Sequence, residues 1–131
     1  MPNLKTYLIE DSQVIRDNLV ATLEELAPVT VVGWAENVST ALAWLGQAEH
    51  QVDLVIVDLF LKGGDSGLDV LRRPPAAQHS AKFIVLTNYA TPEMRRKCLT
   101  LGADAVFDKS ADIEALIQYC TKLAGEEAVA V

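Results

Sequence analysis

The segment Leu54-Val55-Ile56-Val57-Asp58 sets four consecutive apolar residues, three of them β-branched, directly against a carboxylate. The run is too short for a helix and does not alternate polar with apolar. It therefore reads as a strand buried on both faces, as in a parallel sheet. The same form recurs along the chain. Tyr7-Leu8-Ile9 ends at Glu10-Asp11, Val29 to Gly33 follows, Phe83-Ile84-Val85-Leu86 ends at Thr87, and Ala103 to Phe107 stops just short of Lys109. The stretches between them read as helices. Ser12 can cap the first, with an apolar stripe of Val14, Ile15, Leu19, Leu23 and Leu26. Asn37 or Ser39 opens the second, which carries Ala41, Leu42, Trp44 and Leu45. A short third, Leu68 to Leu71, stops at Pro74-Pro75. Thr91 with Pro92 at the first helical position begins the fourth, and Ser110 begins the fifth. Five such units predict a doubly wound α/β fold. Its five-stranded parallel sheet is of flavodoxin-like (βα)5 type, with right-handed crossovers and helices on both faces.

At 131 residues, half of them hydrophobic, there is material for one core and not for two. Residues 1–124 are expected to form the domain and 125–131 a short loose tail. The net charge of -7 and pI near 4.7 argue against unaided nucleic-acid binding, which needs a basic face. No stretch approaches the ~20 apolar residues of a membrane span, and no signal peptide is evident, so a cytoplasmic protein is expected. Cys98 and Cys120, far apart in the sequence, read as two unpaired thiols in helices. His50 and His79 read as solvated, and Trp34 and Trp44 as packing residues.

In an open parallel sheet, ligands bind beyond the carboxyl ends of the strands. Those ends carry Glu10 and Asp11, Asp58, Thr87 and Lys109. Carboxylates gathered at one edge repel one another unless a cation lies among them. Oxygen ligands without His or Cys suit Mg²⁺. Lys109 offers a compact positive charge to a phosphoryl group, Thr87 a hydroxyl donor, and Asp58 a carboxylate nucleophile that would form an acyl phosphate.

These residues resemble those of response-regulator receiver domains, the doubly wound domains that include the bacterial chemotaxis response regulator. The pattern is Ile9-Glu10-Asp11, Val57-Asp58-Leu59 with Gly67 following, Val85-Leu86-Thr87, Gly102-Ala103-Asp104 and Lys109. The resemblance covers Leu4 to about Leu123. It implies that Asp58 is the phosphoacceptor, with Glu10, Asp11, Asp58 and the Phe60 backbone carbonyl around Mg²⁺. Thr87 then resembles the switch hydroxyl, and Lys109 the lysine of the family. A sensor histidine kinase or histidine phosphotransfer protein would supply the phosphoryl group, and a downstream protein target would read the result. Such domains catalyse their own phosphorylation and dephosphorylation but are not turnover enzymes. Homodimerisation is left open. The chain reads as a stand-alone regulator, the other reading being a piece of a longer protein.

Departures from the common pattern are also present. Val106 occupies the position usually held by an aromatic switch residue, with Phe107 expected on the opposite face of the strand. Ser110 follows Lys109 where proline is common, and Gly63 and Gly64 make the loop after the third strand glycine-rich and mobile. Tyr89 is large enough to replace the missing aromatic. The alternative function on this fold is a flavodoxin-like electron carrier, against which the acidic Glu10-Asp11 pair stands, since it would repel a bound phosphate. Gly64-Asp65-Ser66-Gly67 resembles a serine-protease nucleophile segment, but Leu68 replaces the glycine that should follow.

Overall fold

A computed structural model describes residues 3–129. Strands β1 (Leu4–Ile9), β2 (Val29–Ala35), β3 (Leu54–Val57), β4 (Lys82–Thr87) and β5 (Ala105–Asp108) alternate with five helices. These are α1 (Gln13–Leu26), α2 (Val38–Leu45), α3 (Leu68–Arg72), α4 (Pro92–Thr100) and α5 (Ile113–Val129). The sheet is parallel throughout, in the order β2-β1-β3-β4-β5. Two short 3-10 turns, Lys62–Gly64 and Ala76–Gln78, flank α3.

Alternate residues of the central strands feed two cores. Tyr7, Ile9, Val55, Val57 and Val85 pack with α2, α3 and α4, whereas Leu4, Leu8, Ile56, Ile84 and Leu86 pack with α1 and α5. A buried aliphatic side chain of this kind contributes about 1.5–3 kcal/mol by leaving water, and β3, at the centre of the sheet, is apolar and buried at all four positions. Val106 joins the first core and Phe107 the second, so the two do point to opposite faces.

Helix starts follow local capping. Ser12 accepts from the Ile15 amide, Asn37 from Thr40 and Thr91 from Met94, and Asn37 rather than Ser39 is therefore the second cap. Several expectations need correction. α1 buries Arg16, Leu19 and Leu23, while Val14, Ile15 and Leu26 are exposed. α5 begins at Ile113 and not at Ser110, because the Asp108 carboxylate takes the Ser110 and Ala111 amides into a turn before the helix can start. The same helix continues through Val129, across most of the stretch expected to be loose; residues 130–131 lie outside the described residues. Trp34 is half-exposed rather than packed in a core. His50 is half-buried, stacked on Trp44 at 4.0 Å with its Nδ1 2.8 Å from the Trp44 carbonyl.

Candidate functional site

β1 runs outward to β2 on one side and lies beside β3 on the other, and the chain reverses its direction of progress at this boundary. The crevice at such a switch point is where this class of sheet binds ligands. Ile9 pairs with Val57, and the Asp58 amide donates to the Ile9 carbonyl, so Glu10 and Asp58 leave the sheet side by side. One carboxylate oxygen from each of Glu10, Asp11 and Asp58 lies within 4.8 Å of the others. Glu10 and Asp58 are buried, at 2% and 8% exposure, and Asp11 is half-exposed.

Lys109 arrives from the end of β5, anchored by its amide to the Thr87 carbonyl at 3.0 Å. Its Nζ donates to Asp58 Oδ2 at 2.9 Å and to Glu10 Oε1. Burial by itself would lower the pKa of this lysine, but the two carboxylates it bonds raise it above the ordinary value, so it stays charged. Burial raises the pKa of Glu10, and the bonds from Lys109 and the Ser12 amide offset only part of that. A single ammonium thus serves a cluster that holds more negative charge than it can neutralise. The donor set is oxygen only, compact and acidic, which fits a hard divalent cation.

Thr87 ends β4, one register step beyond the residue opposite Asp58, and is fully buried. Its hydroxyl oxygen accepts from the Tyr89 amide at 3.1 Å. Phe60 lies two residues past Asp58, its amide 3.5 Å from Asp58 Oδ1. Its ring and that of Tyr89 meet edge to face with centroids 4.7 Å apart, both more than half exposed. The glycine-rich loop is more tied down than its composition suggests. Phe60 and Ser66 form a bridge, the Leu61 amide donates to the Asp65 carbonyl, and the Asp65 carboxylate accepts from the Val38 amide at the start of α2. Gly63 and Gly64 supply the left-handed turn, at φ of 75° and 80°.

Two arginines were not legible as site neighbours. Arg16 donates to the Glu10 carbonyl. Arg95 links the carbonyls of Ala90 and Val106 to the Asp112 carboxylate, tying α4 to β5 and to the turn before α5. A signal for the first did exist: Arg16 is spaced three and seven residues from Leu19 and Leu23, on the face that α1 buries.

Residues 7–121 match the response regulator receiver domain family. Among curated relatives, the transcriptional regulatory protein YdfI of Bacillus subtilis is 27% identical over 112 residues, which is 86% of this chain and 51% of the relative. The cyclic di-GMP phosphodiesterase of Thermotoga maritima is 30% identical over 113 residues, 86% of this chain and 29% of the relative. The chain therefore spans about half the length, or less, of these relatives. Among solved structures, a response regulator from Burkholderia pseudomallei has a TM-score of 0.75 and 29% identity over 97% of this chain and 73% of that one. That structure holds a phosphorylated aspartic acid, a calcium ion and citrate. None of these three is named as a chemotaxis protein. With the family match spanning nearly the whole chain, the protein belongs to the response regulator receiver domains, the phosphoaccepting modules of two-component signalling.

Proposed function

We propose that Asp58 is the acceptor and that Lys109 and Thr87 serve the phosphoryl group placed on it. A carboxylate oxygen of Asp58 attacks phosphorus, the bond from phosphorus to the donor's imidazole nitrogen breaks, and the imidazole leaves with the electron pair. The product is an acyl phosphate. Lys109, already bonded to Asp58 Oδ2, would follow the negative charge as it moves onto the phosphoryl oxygens. The Thr87 hydroxyl would exchange its present bond to the Tyr89 amide for one to a phosphoryl oxygen. The Glu10, Asp11 and Asp58 carboxylates and the Phe60 carbonyl would hold Mg²⁺, which when bound neutralises charge on the transferring group.

The observation that carries this reading is the Lys109 ammonium seated between Glu10 and Asp58 inside a cluster of three carboxylates. Acetyl phosphate with Mg²⁺ should add one phosphate to the intact mass of the protein. Asp58→Asn or EDTA should abolish the adduct, and an adduct that survives either change would sink the assignment.

The donor is a sensor histidine kinase or a histidine phosphotransfer protein, and the output passes to a protein target by contact. The domain promotes its own phosphorylation and dephosphorylation without turnover of a free substrate. Among the described residues, no helix is long and apolar enough to cross a membrane. A cytoplasmic setting agrees with a kinase-fed phosphoacceptor. The net charge of -7 supports the further reading that this chain does not bind DNA unaided.

A further inference from the structure

Arg16 stands on the first turn of α1 and is only 4% exposed, a place a guanidinium occupies only when it is paired. Three groups hold it. Nη1 donates to the Glu10 carbonyl at 2.8 Å, Nη2 faces Glu36 Oε1 at 3.6 Å, and the guanidinium carbon lies 3.8 Å from the centre of the Trp34 indole. Trp34 belongs to the edge strand β2 and Glu36 follows its last residue, so the arginine links the end of that strand to the loop bearing the acid pair.

The Glu10 carbonyl is one end of the peptide that joins Glu10 to Asp11. A peptide unit is planar, so fixing its oxygen also fixes where the nitrogen and Cα of Asp11 lie. Glu10 and Asp58 have tethers of their own, from Lys109 to both and from the Ser12 amide to Glu10. The Asp11 carboxylate has no such tether among the described residues, so its aim depends on the backbone that carries it. Trp34 fits the same picture. It is 52% exposed on an edge strand, and what its face contacts there is the guanidinium.

We propose that Arg16 is a positioning residue for the cation site: braced on Trp34 and Glu36, it holds the Glu10 carbonyl and so aims Asp11 into the space it shares with Glu10 and Asp58. This rests on the reading of that acidic cluster as a divalent-cation site. Arg16 does not itself touch the cation. It acts through the hydrogen bonding behind the ligands, the kind of support whose loss lowers metal affinity about 10- to 100-fold.

The test is calorimetric titration of Mg²⁺ into the full chain after removal of metal, for wild type, Arg16→Met, Arg16→Lys and Trp34→Leu. Arg16→Met keeps an apolar stem but no donor, and its affinity should fall by about tenfold or more. Arg16→Lys retains a donor that reaches the carbonyl and should recover most of the loss. Trp34→Leu should show a smaller loss in the same direction while its urea midpoint in EDTA stays that of wild type. If Arg16→Met does not fold, the Trp34→Leu and Arg16→Lys results decide. Wild-type affinity in Arg16→Met, or in Trp34→Leu where that variant decides, would overturn the proposal. So would a loss in folded Arg16→Lys as large as in Arg16→Met. A wild-type chain that takes up no Mg²⁺ at all would overturn the cation reading instead.

Discussion

A methyl group placed on Gly67 would overlap the carbonyl oxygen of Asp58 and lie 2.9 Å from both its carbonyl carbon and Val57 Cγ2. The backbone at Gly67 is ordinary right-handed helix, φ -59° and ψ -18°, so alanine would suffer no dihedral strain there. The destabilising effect of Gly67→Ala is therefore steric, and it falls on the acceptor's own peptide. A carbon-to-oxygen contact relaxes only near about 3.3 Å, so the loop or the end of β3 must retreat by roughly 1 Å. Close-packed interiors do not give that much without loss. Overpacking costs about 1–3 kcal/mol, and the overlap here is with backbone rather than a flexible side chain, which points to the upper end. For a chain of 131 residues the unfolding entropy is about 0.28 kcal/mol/K, so about 3 kcal/mol lowers Tm by roughly 11 °C. Thermal unfolding in EDTA measures this, and acetyl phosphate labelling of the same variant should be impaired. Gly63→Ala is the control. Its φ of 75° disfavours alanine by about 1–2 kcal/mol, but nothing lies within 4 Å of the added methyl, so labelling should be preserved. A Tm for Gly67→Ala within about 3 °C of wild type together with normal labelling would refute the packing argument.

Other expectations are as direct. The Asp108 amide and then Arg95 hold the Asp112 carboxyl below the usual aspartate range, so its contribution to stability is present above pH 3.8 and is lost as pH falls through the depressed value. The urea-midpoint gap between wild type and Asp112→Asn should therefore narrow progressively as the pH is taken below 3.8, and a gap that does not narrow would show that the charge is not its source. Burial pushes the Cys120 thiol up to about 11 and raises Cys98 as well, so neither should react with Ellman's reagent at pH 8 until urea is added. Rapid reaction of either in the native chain would contradict that. Beryllofluoride should shift backbone amides most from Asn88 to Met94 and hardly at Val106. Val106 is buried in a core and its carbonyl is bonded to Arg95, whereas the Tyr89 amide is bonded to the Thr87 hydroxyl and its ring rests on Phe60. Tyr89→Ala should weaken that pattern while Mg²⁺ binding survives, and an unchanged pattern would place the coupling elsewhere.

The five units were legible because a strand buried on both faces leaves an unbroken apolar run, and Leu54–Val57 coincides with β3 for that reason. β2 was cut short at Gly33 because an edge strand is wetted: Thr30, Val32 and Trp34 are exposed, and the run loses its contrast before it ends at Ala35. The stripe of α1 was misread for a related reason. Hydrophobicity identifies a buried face only when the partner element is apolar, and here a guanidinium takes one buried position while Val14 and Leu26 face solvent. Ser110 looked like a cap, but the turn before α5 is made by the carboxylates of Asp108 and Asp112 bonding backbone amides.

From the sequence alone, the ionisable residues could be placed at the carboxyl ends of their strands, because each follows an apolar run that must end where the sheet meets water. Which of them would touch was a matter of strand order. Glu10 and Asp58 meet because β1 lies beside β3, and Lys109 reaches both across the width of β3 and β4. The same holds for Arg16 over Trp34 and for Phe60 against Tyr89. Local periodicity records which way a side chain faces within its own segment. The partner it finds there comes from another segment, and only the packed sheet and its crossovers bring the two together.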